Sequence, residues 1–165
     1  TNGAGNYAIW VHRYHRYRKP GTQLAPTSGA MGYGVPAAVA AKLMHPEKVV
    51  VSFAGDGCFQ MNCNELGTAL QYGAKCIFIV INNGIYGTIR MHQERRFPDR
   101  VSGTDIVNPD FPAICEAYGG KGYLVTETDA FRPALEDALA NDRMALIEIR
   151  IDPDDIAPGR KLSAL

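Results

Sequence analysis

The chain has 165 residues, 46% of them hydrophobic, and 17 Lys and Arg balance 17 Asp and Glu. That is enough apolar content to bury a substantial core, and the formal net charge of zero gives no support to a role on nucleic acid or on a charged membrane surface. No apolar stretch reaches the roughly 18 residues that span a bilayer, no signal peptide is visible, and Cys58, Cys63, Cys76 and Cys115 lack Cys-x-x-Cys spacing, so they read as reduced thiols of a cytoplasmic protein.

From the N-terminus, Gly3-Ala4-Gly5-Asn6-Tyr7 is a glycine-rich turn leading into a helix that carries Trp10. The basic, aromatic-interleaved run from His12 to Lys19 reads as a solvated helix face rather than a grip for phosphates or RNA, because the chain as a whole is neutral. Val49 to Ala54 is short, β-branched and without period-two alternation, which predicts a strand covered on both faces. Gly55-Asp56-Gly57 closes it. Asn62-Cys63-Asn64-Glu65 then predicts an asparagine-capped helix start, with Leu66, Ala69 and Leu70 at helical spacing and a stop at Gly73. A second buried strand runs from Cys76 to Ile81 and is closed by Asn82-Asn83.

Strand, helix and strand make a βαβ unit. Its right-handed crossover lays the strands parallel, with their C-terminal ends on one side. Ligands of open α/β sheets bind just outside those ends. Asp56 and Asn83, 27 positions apart, therefore converge on one point. A carboxylate, an amide oxygen and a nearby main-chain carbonyl form a hard, oxygen-only donor set suited to Mg²⁺ or Ca²⁺. Mg²⁺ usually keeps positions for water and substrate phosphates, and Gly55 and Gly57 let the backbone turn sharply and approach a ligand. Together these parts describe a metal-bridged diphosphate site. A nucleotide-binding domain with a Walker loop is the competing Mg²⁺-diphosphate reading, but Gly-Lys-Ser/Thr occurs nowhere, and Gly29 to Gly34 reads Gly-Ala-Met-Gly-Tyr-Gly.

Beyond Asn83, the stretch from Glu94 to Pro109 lacks periodicity and reads as a long loop beside the metal site. A helix is expected over Phe111 to Tyr118, ending at Gly119-Gly120, and a short strand over Gly122 to Val125. An amphipathic helix capped by Asp129 follows, reaching Ala140, and the last strand covers Met144 to Ile151. The expected organisation is one domain over residues 1–151 and a polar tail over 152–165 that is loose or draped on a neighbour.

The Gly55-Asp56-Gly57 turn with Asn82-Asn83 resembles the cofactor motif of thiamine diphosphate (ThDP) enzymes, in particular the acetolactate synthase, pyruvate oxidase and 2-oxo acid decarboxylase group. Ser28 to Ala38 is similar to the segment with which that group grips the aminopyrimidine ring, Asn62, Glu65 and Leu66 fit the pattern after the Gly-Asp-Gly turn, and Tyr86-Gly87 fits the run after the paired Asn. The resemblance implies a three-layer α/β/α fold with a mostly parallel sheet. It implies Mg²⁺ held by the side chains of Asp56 and Asn83 and the carbonyl of Ile85. Gly55, Tyr86 and Gly87 would shape the site, and Gly57 and Cys58 would offer N–H groups to the diphosphate. The Gly29 carbonyl would accept the cofactor's exocyclic amine, and Met31 would wedge the cofactor in a bent shape. Asn6 and Tyr7 stand in the loop that contacts the terminal phosphate, although many relatives carry His where Tyr7 stands, which makes Asn6 the better candidate. His92 and Gln93 occupy the region that faces the substrate in this group.

The activity implied is decarboxylation of a 2-oxo acid with transfer of the aldehyde unit, as in acetolactate synthase. Simple decarboxylation of the benzoylformate or indolepyruvate type and a non-catalytic module that retains the site are the alternatives. Nothing resembles the pyrimidine-binding domain whose glutamate activates ThDP, so that domain is expected from the same or another subunit of a homodimer or homotetramer, this chain being inactive alone and part of a longer one, with an independent small subunit as the alternative. A requirement for FAD is left open by these residues.

Overall fold

Two apolar runs set the frame. Val50–Gly55 forms β1 and Cys76–Asn82 forms β2, paired in parallel with Val50 opposite Cys76 and Gly55 opposite Ile81. Lys121–Val125 (β3) and Ala145–Arg150 (β4) complete a four-stranded parallel sheet in the order β1-β2-β4-β3 in the computed structural model, which describes residues 1–165. In chain order the helices are α1 (Tyr7–Tyr14), α2 (Gly34–Met44), α3 (Asp56–Gln60), α4 (Glu65–Tyr72), α5 (Gly87–Arg96), α6 (Phe111–Ala117) and α7 (Thr128–Ala140). Alternate residues of the central strands feed two separate cores. Cys76, Phe78 and Val80 pack with Val39 of α2, Leu66 of α4 and Phe111 of α6, whereas Ile77 and Ile79 turn to Ile147 and to Ala138 of α7. Tyr7 and Ala8 of α1 cover Phe53 and Ile81 on that second face. The result is the three-layer α/β/α arrangement with a parallel sheet that unalternating strands require.

The turn after β1 is held from inside. Phe59 of α3 is fully buried and meets two rings edge-on, Phe78 at 6.3 Å between centroids and Phe111 at 5.6 Å. Asp56 lies three residues before this anchor, so its backbone position is fixed by packing in the first core.

Local details differ from the sequence expectations for identifiable reasons. α4 begins at Glu65, not at Asn62, whose amide instead donates to the Gly32 carbonyl at 3.0 Å and ties the Ser28–Ala38 segment to the turn. Glu65 accepts from Thr68 Oγ1 at 2.8 Å rather than closing a capping box. α7 starts at Thr128, and Asp129 makes no cap bond. The helix α5 extends to Arg96, so the irregular segment starts at Phe97; its Arg-, Gln- and Glu-rich sequence hides the helix because almost no apolar stripe marks it. α1 ends at Tyr14, leaving the rest of the basic run exposed beyond it. The tail is ordered: Asp155–Ala157 (β5) and Arg160–Lys161 (β6) form a small antiparallel hairpin, and Ile156 is 1% exposed.

Truncating Phe59 to Ala should cost about 3–5 kcal/mol of stability in a urea titration, because the cavity opens between two rings that cannot both collapse into it. Burial also pushes the Cys76 and Cys115 thiols up to about 12, so neither supplies thiolate at neutral pH. Iodoacetamide at pH 8 should therefore modify the half-buried Cys63 first, with Cys76 and Cys115 alkylated only after denaturant is added.

Candidate functional site

β1 ends at Gly55 and β2 at Asn82, and the parallel register brings both ends to the same edge of the sheet. Asp56, the first residue of α3, is 3% exposed there. Its Oδ1 accepts the Gly57 N–H at 2.9 Å, and its Oδ2 accepts the Gly84 N–H at 2.9 Å and the Asn108 amide at 2.7 Å. Burial pushes the carboxyl above its ordinary pKa, against the pull of the Asn108 amide and of the Gly57 and Gly84 N–H groups. The ion pairs of the chain lie elsewhere, and none engages Asp56. A buried carboxylate without a cationic partner is costly, and a bound cation is the usual remedy. Gly84 reaches Asp56 through a left-handed backbone (φ 69°), a conformation that side chains other than glycine disfavour.

Asp56 opens onto a cleft of about 230 Å³. Every position expected to touch the cofactor lines it. Asn6 and Tyr7 come from the start of α1, Gly29 and Met31 from the turn before α2, Gly55, Gly57 and Cys58 from the β1–α3 junction, and Asn83, Ile85, Tyr86 and Gly87 from the β2–α5 junction. Trp10, Thr88 and Ile89 line it as well. The Tyr86 ring packs so closely on Gly57 that a Cβ at 57 would lie 2.5 Å from Cε1 of the ring.

Individual contacts refine the roles expected from sequence. The Tyr7 hydroxyl sits 3.3 Å from Cys58 Sγ, which also accepts the Gly32 N–H at 3.0 Å, and burial pushes the phenol far up. Tyr7 is therefore engaged with the wall of the cleft. Asn6 is different: its Oδ1 accepts from Thr88 Oγ1 at 2.8 Å, while its buried Nδ2 has no partner. That nitrogen and the Asn83 Nδ2 flank Gly87, where a Cβ would stand 3.7 Å from the first and 3.1 Å from the second. Asn83 Oδ1 accepts from the Ile85 N–H at 3.2 Å, the Ile85 carbonyl accepts from Gly87 N–H at 2.9 Å, and the Gly57 N–H is already engaged with Asp56. His92 is exposed on α5, away from the cleft lining. Gln93 exchanges two bonds with the Ser102 backbone, at 2.8 and 3.1 Å, so its amide pins the loop after α5.

The donor set fits a hard cation. Asp56, Asn83 and Ile85 line one cleft and carry a carboxylate, an amide and a main-chain oxygen, and no group of three His, Cys, Asp or Glu side chains gathers anywhere in the chain to suit a softer metal. The orphaned Asn6 Nδ2 adds a hydrogen-bond donor that an anionic ligand would satisfy. Sequence reasoning missed Thr88, which holds the Asn6 amide, and Asn108, which lies in a segment without periodicity and is brought to Asp56 only by the folded chain.

Residues 3–149 match the family model described as thiamine pyrophosphate enzyme, C-terminal TPP binding domain. The chain belongs to this family. This TPP-binding domain is 35% identical over 153 residues, 92% of its length, to an acetolactate synthase catalytic subunit, mitochondrial, of Aspergillus candidus, and covers 22% of that protein. It is 32% identical over 166 residues, 96% of its length, to an acetolactate synthase of Arthrospira platensis, of which it covers 29%. Among solved structures it resembles a thiamine diphosphate-dependent 4-hydroxybenzoylformate decarboxylase of Rhodococcus jostii, with a TM-score of 0.73 and 36% identity, over 78% of this chain and 24% of that one. The TPP-binding domain thus spans about a quarter of the length of these relatives.

Because the Tyr7 hydroxyl is turned to Cys58, Tyr7→Phe should lower stability by about 1 kcal/mol in a urea titration and leave diphosphate affinity unchanged. A large loss of ThDP affinity in that variant would show the hydroxyl to be a ligand contact.

Proposed function

We propose that the chain holds ThDP through Mg²⁺ and serves an acetolactate synthase-like enzyme that decarboxylates a 2-oxo acid and transfers the aldehyde unit. The observation that carries this reading is the buried Asp56 carboxylate, without a cationic partner, in one cleft with Asn83 and Ile85 at the ends of two parallel strands. Asp56 and Asn83 would hold the metal through side-chain oxygens and Ile85 through its carbonyl. Cys58 would offer its N–H to the diphosphate, and Asn6 would donate from Nδ2, which Thr88 orients by its bond to Oδ1. Gly29 and Met31, which also line the cleft, would receive the aminopyrimidine end, with Gly55, Tyr86 and Gly87 shaping the remainder. Bound ThDP supplies the electron sink for loss of CO₂ from a 2-oxo acid. The chain's residues would position that cofactor, with Met31 and Ile85 contributing apolar surface to the cleft around it.

Simple decarboxylation is the second reading, favoured by the likeness to the 4-hydroxybenzoylformate decarboxylase. Both readings place a pyrimidine-binding domain, from the same or another subunit of a homodimer or homotetramer, against the cleft, and both suit a cytoplasmic enzyme. No helix is long and apolar enough to cross a membrane. A non-catalytic module would have no reason to keep Asp56 buried and uncompensated. His92 and Gln93 remain candidates for the substrate side, His92 through its exposure on α5 and Gln93 through the loop it pins.

Calorimetric titration of ThDP with Mg²⁺ into the full-length protein tests the assignment. Asp56→Ala and Asn83→Ala should each abolish Mg²⁺-dependent binding, whereas His92→Ala should keep binding and change turnover of a 2-oxo acid panel. Unchanged ThDP affinity in Asp56→Ala would overturn the metal assignment, and release of free aldehyde without a carboligation product would select the second reading.

A further inference from the structure

Asn108 belongs to the irregular segment between α5 and α6, yet it is bonded to the ends of both central strands. That segment is zipped antiparallel onto the residues after β2: the Tyr86 N–H donates to the Thr104 carbonyl at 2.8 Å, the Ile106 N–H donates to the Gly84 carbonyl at 2.8 Å, and Ile85 bridges Asp105. Two residues further on, Asn108 Nδ2 donates to Asp56 Oδ2 at 2.7 Å and to Asn82 Oδ1 at 2.8 Å. The Gly84 N–H bonds the same two oxygens at 2.9 and 3.1 Å, so two donors and two acceptors close a ring behind Asp56, the one member that lines the cleft.

The orientation of each amide in this ring is dictated from behind. Glu148 on β4 is 1% exposed, and its Oε1 accepts from Asn82 Nδ2 at 2.8 Å and from Arg150 Nε at 3.1 Å. A carboxylate accepts and cannot donate, so the Asn82 nitrogen must face Glu148 and its oxygen must face Asn108. On the far side, Gln60 Nε2 donates to Asn108 Oδ1 at 2.8 Å, which leaves the Asn108 nitrogen for Asp56. Donation therefore runs from Gln60 to Asn108, whose nitrogen is shared between Asp56 and Asn82, and from Asn82 on to Glu148.

We propose that Asn108, with its amide set by Asn82 and Gln60, is a positioning residue that holds the Asp56 carboxylate in the rotamer from which it ligates the divalent cation. The inference rests on the reading of Asp56 as a metal ligand and extends it to a segment that contributes no ligand of its own. Groups that hydrogen-bond a metal ligand orient it, and their removal typically weakens metal binding about 10–100-fold.

The test uses the full-length protein at saturating ThDP and reads three quantities: the half-saturating Mg²⁺ concentration, the thermal midpoint in EDTA, and the paramagnetic resonance spectrum of bound Mn²⁺. Asn108→Ala should raise the Mg²⁺ requirement about tenfold or more and broaden the Mn²⁺ spectrum. Its EDTA midpoint should fall by only a few degrees, the cost of the lost hydrogen bonds. Gln60→Ala, at an exposed position, should shift the Mg²⁺ requirement several-fold in the same direction, and it decides the matter should Asn108→Ala fail to fold. An unchanged Mg²⁺ requirement in Asn108→Ala, or in Gln60→Ala if that variant alone folds, would overturn the proposal while leaving Asp56 a ligand. Retained Mg²⁺ binding in Asp56→Ala would instead overturn the metal reading, and the proposal with it.

Discussion

The carboxylate of Asp56 is the constraint on which the rest depends. A group 3% exposed, with three hydrogen-bond donors and no cationic side chain beside it, stabilises nothing by its charge alone. The direction of its pKa shift gives the sign. Because burial raises the pKa, the folded chain binds that proton more tightly than the unfolded chain does. The associated stability is complete below the ordinary carboxylate pKa and is lost as the pH rises through the raised value. In its ionised form Asp56 therefore costs the folded chain stability, a cost that a cation bound beside it would offset. The fold tolerates this because the turn is fixed on all sides, by Phe59 in the core three residues later and by Gly84 and Asn108 across the strand ends.

The parallel sheet is what makes the arrangement available. The parallel register puts the C-terminal ends of β1 and β2 on one edge, and Asp56 and Asn83 just beyond them line the crevice outside. Four separate junctions then contribute to one cleft: the turn before α1, the turn before α2, the β1–α3 junction and the β2–α5 junction. Each contributes a different chemistry. The first brings the unpartnered Asn6 nitrogen, the second the Met31 wall, the third the carboxylate, and the fourth the amide and carbonyl oxygens. The segment from Ser102 to Asn108 closes the set from outside, held by Gln93 at one end and bonded to Asp56 at the other.

Much of this was legible in the sequence because buried parallel strands announce themselves. Val50 to Gly55 and Cys76 to Asn82 are largely apolar, and Asp56 and Asn83, which follow them, line the cleft. What escaped was governed by contacts no local pattern encodes. Asn62 looked like a helix cap, and it instead binds a backbone carbonyl thirty positions away. The helix α5 carries a polar sequence whose face toward the cleft is short, so periodicity could not mark it. Asn108 and Gln60 are forty-eight positions apart, and neither has any signature before the chain folds. Ile156 is the buried side chain of a polar tail whose hairpin is also tied by Ser163 and Leu162 to Asp154.

Urea unfolding of the full-length wild type and of Asp56→Asn, each in EDTA and again with Mg²⁺ and ThDP, tests the central claim most directly. Asp56→Asn should be at least as stable as the wild type in EDTA at neutral pH, since it removes an uncompensated buried charge. Only the wild type should then gain stability when Mg²⁺ and ThDP are added. A wild type markedly more stable than Asp56→Asn in EDTA, or an equal ligand-dependent gain in both proteins, would contradict it.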